Sequence, residues 1–358
     1  MRFLSVIVLV IFSSSIFVSS AIAQQINDNV PLIPYESVSN FLKYSPEMNL
    51  GETLAVAVNS KGRIMVLNHP GSASNGGPLY GNATSQLLEF DEDGYFVREI
   101  GQNVYGLGYS HSIRYDKYDN LWLVDKGANS VIKFDSAGYV TMNLGRRPEG
   151  FDEYHHVDGA DAVPRDGFFA GPSDVTWDTE DNIFVSDGYL NSRIAKYDKH
   201  GNWIKSWGSY GSEPGQLNLP HNMQADQEGN IYVADRTNRR IQVFDSEGAF
   251  LRIILLNAPF DKSMQPILGD VNPNQPNETQ PWALCISNGN PQYLWAADQH
   301  PGRIYKIQLD GKIVGMLGTS GKQLGQFNWI HGIDCSQEGV LYIADMNNWR
   351  IQKLILNP

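Results

Sequence analysis

Three histidines, His111, His221 and His331, stand 110 residues apart in succession. Each is the second residue of an apolar, strand-like run, after Ser110, Pro220 or Ile330. In a chain of repeats closed into a ring, equal steps in sequence become equal steps in angle. The spacing therefore predicts three imidazoles at one mouth of a central channel, the donor set of a metal ion. Three protein ligands with an open fourth position is the arrangement of catalytic zinc, whereas structural zinc normally takes four. We expect Zn2+ on these three residues. The remaining histidines, His69, His155, His156, His200 and His300, lack this register and are expected to be structural.

The elements that would carry the histidines are repeats. The stretches 183–197 (IFVSDGYLNSRIAKY), 231–244 (IYVADRTNRRIQVF), 294–307 (LWAADQHPGRIYKI) and 341–354 (LYIADMNNWRIQKL) share one pattern. A fifth copy runs over 121–134 (LWLVDKGANSVIKF), and a degenerate first copy spans Gly62 to Phe90 with a Gly/Ser/Asn-rich insert. Short apolar runs alternate with Asp, Asn and Gly turns, which reads as four strands per copy. Six four-stranded sheets make an all-β, six-bladed β-propeller, closed radially. The aspartates Asp125, Asp187, Asp235, Asp298 and Asp345 are spaced by 62, 48, 63 and 47 residues. Long and short blades thus alternate, and the histidines mark blades 2, 4 and 6. Equivalent odd-blade positions hold Leu54, Ser173 and Trp282, none a good zinc ligand. The inserts Arg146 to Phe168 and Asn257 to Gln280 explain the long steps and are expected on one face, shaping access. Asp187, Asp235, Asp298 and Asp345 are expected to cap the hairpins, and Arg193, Arg240, Arg303 and Arg350 to tie them to a neighbouring blade.

Residues 1–23 read as a secretory signal peptide: Arg2, an apolar run, then Ala21-Ile22-Ala23,. The run is shorter than the ~20 residues that span a bilayer. The expected mature chain, 24–358, is one propeller domain, secreted or periplasmic and monomeric, with no membrane attachment after cleavage. It carries 26 basic and 39 acidic residues, a net charge of −13. No basic block is present, which argues against nucleic acid or an anionic surface as partner. A small molecule or peptide in the channel is the expected partner. Cys285 and Cys335 occupy nearly equivalent places in successive repeats, and both a disulfide and a pair of buried free thiols stay open.

The phrase Asp-x-x-Asn-x-Arg-Ile, together with 215–220 (GQLNLP) and 325–330 (GQFNWI), resembles NHL-repeat propellers. From Gly171 to Phe244 the chain further resembles the peptidyl-α-hydroxyglycine α-amidating lyases. The stretch 185–194 (VSDGYLNSRI), Pro220-His221 and 233–236 (VADR) carry that likeness. It implies a six-bladed propeller with one zinc on His111, His221 and His331. It also implies Tyr189 as catalytic tyrosine and Arg236 as an arginine beside the substrate. The implied reaction splits the N–Cα bond of a peptidyl-α-hydroxyglycine into an amide and glyoxylate, with a Lewis acid and a base for the hydroxyl proton.

Several positions depart from that family. A second active-site arginine is replaced near His69-Pro70-Gly71, a methionine becomes Trp329, and the family's cysteines are absent at Leu190 and Tyr232. The aspartate of a structural calcium site becomes Gly332. Ca2+ is therefore doubtful and rests only on backbone carbonyls such as that of Ile113. Zinc machinery is expected to be retained and substrate recognition changed. The alternative readings are a non-enzymatic NHL propeller that binds a peptide, glycan or protein, and a related propeller lyase with another substrate, such as a streptogramin-lyase-like activity. A lactonase-like calcium hydrolase would need axial oxygen ligands rather than three histidines.

Overall fold

Each repeat folds as strands because its apolar runs are too short for helices and end in residues that turn the chain. In blade 4, Pro220–Ala225, Ile231–Asp235, Arg240–Phe244 and Phe250–Ile254 pair in sequence order, all antiparallel. Between the last two, the carboxylate of Asp245 accepts the backbone N–H groups of Glu247 and Ala249, which closes the turn from its own side chain. A computed structural model describes residues 30–70, 85–104, 106–146, 163–259 and 279–357. The expected signal peptide and most of the two inter-blade inserts lie outside the described residues.

Five such sheets follow one another, with innermost strands Glu52–Val58, Ser110–Tyr115, Asp174–Trp177, Pro220–Ala225 and Pro281–Ile286. The sixth takes Ile330–Asp334, Val340–Asp345 and Arg350–Leu356 from one end of the chain and Tyr35–Ser37 from the other. Tyr35 pairs with Leu356 and Ser37 with Leu354, so the ring is fastened by its two ends. Every innermost strand packs on the next, and the sixth returns to the first. The six-bladed all-β propeller expected from the repeats is the fold observed.

Cohesion comes from six apolar clusters, one at each blade-to-blade interface. Between blades 4 and 5, for example, Val243 and Ile254 meet Leu284 and Ala296. A fully buried aliphatic or aromatic side chain contributes about 1.5–3 kcal/mol. The outermost strands expose much of their length, as in Val140–Gly145, so the core lies between the inner strands.

The aspartate–arginine pairs fasten blades in a way the sequence only half suggested. Asp235, fully buried, accepts the Asn218 backbone N–H at 2.7 Å, Asn238 Nδ2 at 2.9 Å and Arg240 Nε at 2.8 Å. Arg240 then donates to the carbonyls of Ser212, Glu213 and Gln216. Arg350 repeats this with Lys322, Gln323 and Gln326, Arg193 with Arg165 and Phe168, and Arg303 with Ala258 and Pro259. The arginine therefore grips the connector that enters its own blade, rather than a neighbouring blade. A connector has free carbonyls to offer, whereas the adjoining sheet has none to spare.

Cys285 and Cys335 form a disulfide, with Cα atoms 6.0 Å apart. The bridge joins the innermost strand of blade 5 to the residue just after that of blade 6, at the channel end away from the histidines, and settles the choice left open by the sequence.

Replacing Asp235 with Ala strands the Arg240 guanidinium in a buried site. We expect a loss of roughly 3–5 kcal/mol in urea unfolding, against less than about 0.5 kcal/mol for an exposed control such as Glu36→Ala.

Candidate metal centre

Each histidine sits at an irregularity of its strand ladder. Ser110 pairs with Asp125 and Ser112 with Val124, so His111 is an extra residue. His331 is likewise extra between Ile330–Asp345 and Gly332–Ala344, and in blade 4 the register jumps from Pro220–Asp235 to Met223–Val233 across His221. A bulge turns one side chain away from the regular pleat. Blades 1 and 5 have the same shift around Leu54 and Trp282. The scaffold thus makes the bulge, and residue type makes the site.

The odd blades then contribute through their backbone. Nδ1 of His111, His221 and His331 meets the carbonyls of Ser173, Trp282 and Leu54 at 2.7, 3.0 and 2.9 Å. A carbonyl only accepts, so each Nδ1 carries the proton and each Nε2 presents a lone pair. These three partners are the positions equivalent to the histidines in blades 3, 5 and 1. Such partners fix the ring orientation of a metal ligand and raise its basicity.

The ring centroids lie 4.7, 4.7 and 5.1 Å apart, and the ligand nitrogens all fall within 4.8 Å of one another. Nitrogens sharing one zinc at ~2.1 Å stand ~3.4 Å apart, a separation that this bound accommodates. All three histidines are buried. Burial holds the imidazoles of His111 and His221 well below their usual range, with neighbouring histidines and nearby cations adding to the effect. Burial likewise brings His331 to about 3. The rings are neutral at physiological pH, the form that binds metal without first releasing a proton. His221 Nε2 is buried with no hydrogen-bond partner, an orphan that a metal ion would satisfy. The donor set fits zinc.

Tyr189 projects from the turn after Ile183–Asp187, and its phenol oxygen lies 2.9 Å from His111 Nε2. Two glycines make room for it. Gly171, at φ +73°, would bring a Cβ to 2.6 Å from the Tyr189 Cβ, and a Cβ on Gly188 would overlap the Pro220 carbonyl. Burial pushes the phenol up to about 12, and the Arg236 guanidinium opposes that shift. Arg236 stands 3.6 Å from the centre of the Trp282 ring, itself 4.7 Å from His221. The structure therefore brings His111, His221, His331, Tyr189 and Arg236 together.

Lys126 and Tyr109 were not singled out from sequence. Lys126 Nζ lies 3.9 Å over the Tyr189 ring and 4.9 Å over that of Tyr109. His69 stacks on Tyr109 at 4.5 Å and contacts the Ser110 carbonyl through Nε2 at 2.9 Å. Trp329 packs on Trp282 at 5.0 Å, with His300 6.3 Å beyond it. The repeat held a signal for Lys126: it follows His111 by the same 15 residues that separate Arg236 from His221. His155 and His156 lie outside the described residues, and His200 sits in a turn between the outer strands of blade 3.

Calcium fits poorly. Gly332 offers no ligand side chain, and three residues below His111 the channel is crossed by Arg114. Its guanidinium pairs with Asp174 at 2.5–3.1 Å and reaches the Leu284 carbonyl at 3.3 Å. A cation already occupies that level. Among the described residues, the three histidines are the one group of His, Cys, Asp or Glu side chains placed to hold an ion.

A match to the NHL repeat covers residues 217–244, the approach to blade 4 and its first three strands. The chain thus carries an NHL repeat within a six-bladed β-propeller. Its likeness extends to amidating enzymes. It is 26% identical over 330 residues to the peptidylglycine alpha-amidating monooxygenase of Rattus norvegicus, a match covering 86% of this chain and 30% of that protein. The chain therefore spans less than a third of that relative. It is also 26% identical over 220 residues to the probable peptidyl-alpha-hydroxyglycine alpha-amidating lyase of Caenorhabditis elegans, covering 57% of this chain and 58% of that one. Among solved structures, a streptogramin B lyase aligns with 91% of this chain and 98% of its own at a TM-score of 0.55 and 16% identity. That likeness speaks for the fold.

We expect the purified protein to retain about one equivalent of zinc and His221→Ala to retain none, by inductively coupled plasma mass spectrometry. Adding zinc to stripped wild-type protein at 100 times its Kd should stabilise it by about 2.7 kcal/mol, with no shift in the variant.

Proposed function

We propose that this chain is an exported zinc lyase that splits N-acyl-α-hydroxyglycines into an amide and glyoxylate. The observation that carries the proposal is the meeting of three inward-facing Nε2 atoms with the Tyr189 hydroxyl, beside Arg236. Zinc on these nitrogens would supply Lewis acidity to an oxygen of the substrate. Tyr189 takes the proton of the α-hydroxyl as phenolate, a minor form for a phenol raised to about 12 and one that the Arg236 charge favours. The O–H electron pair becomes the new C=O bond, the N–Cα pair moves to nitrogen, and the Tyr189 proton passes to the departing amide. No water is consumed and nothing is oxidised. Arg236 supports the phenolate, since its charge lowers the Tyr189 pKa against the effect of burial.

The partly exposed rings of Tyr109 and Trp329 suit the apolar part of an acyl or peptidyl group,. Export is supported by the Cys285–Cys335 disulfide, a bond that persists in oxidising compartments,. The relatives named as amidating enzymes support the class of reaction.

Zinc-loaded protein should release glyoxylate from N-benzoyl-α-hydroxyglycine faster than the uncatalysed background. Tyr189→Phe should lower kcat by roughly 10^2–10^4-fold while keeping its zinc. Wild-type protein with full zinc and no glyoxylate release would rule the reading out.

A further inference from the structure

Lys126 is the counterpart of Arg236 one step earlier in the paired-blade repeat. Each follows the aspartate that ends its blade's second strand, Asp125 or Asp235, and each is pinned by the same backbone bond. The Lys126 N–H donates to the Tyr109 carbonyl at 3.1 Å, and the Arg236 N–H donates to that of Leu219 at 3.4 Å. The third counterpart, Met346, donates to Trp329 at 3.1 Å and carries no charge. Threefold geometry thus brings two cations and one apolar side chain to the rim of the histidine cluster.

Both cations are half-buried, and neither forms a salt bridge with a carboxylate among the described residues. Asp125, the carboxylate next to Lys126, is spent on the Ser110 hydroxyl and the backbone N–H groups of Tyr109 and Ala128. Arg236 Nε is buried without a hydrogen-bond partner. The faces of Tyr189, Tyr109 and Trp282 offset only part of the cost of such burial,. Arg236 reaches the Tyr189 phenol and Lys126 only aromatic faces, so two charges beside three imidazoles meet no carboxylate of the protein,.

We propose that Lys126 and Arg236 together hold a carboxylate on the ligand, so that Lys126 sets specificity for a free acid over its amide. Identifying that acid as the glycine-derived end of an α-hydroxyglycine rests on the lyase reading above. The neighbouring ring on the blade 1 side carries no fixed charge. The His69 ring stacks on Tyr109, and Lys126 covers the same Tyr109 ring. Lys126 thus supplies from blade 2 a cation beside His69 of blade 1.

The test uses two probes that cannot be cleaved, N-benzoylglycine and N-benzoylglycinamide, titrated calorimetrically into zinc-loaded protein. Wild type should prefer the acid. Lys126→Met should bind the acid at least about tenfold more weakly, with its affinity for the amide unchanged, which also reports an intact site. Lys126→Arg should keep most of the preference. In turnover, Lys126→Met should raise KM for N-benzoyl-α-hydroxyglycine more than it lowers kcat. The proposal is overturned if wild type does not discriminate between the probes, or if Lys126→Met binds the acid as tightly as wild type. Wild type that prefers the acid but releases no glyoxylate upholds this carboxylate site and removes the lyase reading.

Discussion

Three hydrogen bonds from imidazole Nδ1–H groups to backbone carbonyls govern the chemistry this molecule can do. Each runs from an even blade to the equivalent position of the next odd blade, at 2.7–3.0 Å. They fix the tautomer, aim every Nε2 at the axis and require neighbouring blades to sit in one register. The apolar clusters between blades, the arginines gripping connectors and the end-to-end pairing of Tyr35 with Leu356 hold that register. Odd blades, which have no histidine, are therefore part of the site through their backbone.

The electrostatics follow from the same enclosure. Burial keeps the imidazoles neutral, and the charges of Lys126 and Arg236 reinforce that at His331. A neutral donor set exchanges little proton for metal, and the surplus positive charge at the rim favours an anionic ligand over a second cation. Below the histidines, Arg114 and Asp174 fill the channel with a paired charge. Tyr189 sits between these influences: burial favours its neutral phenol, and Arg236 favours its phenolate.

The architecture was legible because the repeat is written in turn residues and short apolar runs, which set strand and blade together. The histidine spacing was legible for the same reason, since a 110-residue period becomes an angle only in a closed ring. Tyr35–Ser37 was not, because a three-residue edge strand has no period and its partner lies more than 300 residues away. Lys126 escaped notice because the repeat was followed by residue type, and a lysine, an arginine and a methionine share a position without sharing chemistry. The arginines' targets were misjudged because backbone carbonyls leave no mark in a sequence. The cysteine pairing stayed open because spacing alone carries no distance.

The central claim is a metal held by three imidazole nitrogens at the channel mouth. X-ray absorption spectroscopy at the zinc edge of the purified protein tests it most directly. The account predicts first-shell scattering from nitrogen or oxygen alone at ~2.0–2.1 Å, with the outer-shell pattern of three imidazoles and no sulfur. Zinc bound without imidazole scattering, or with a sulfur ligand at ~2.3 Å, would contradict it.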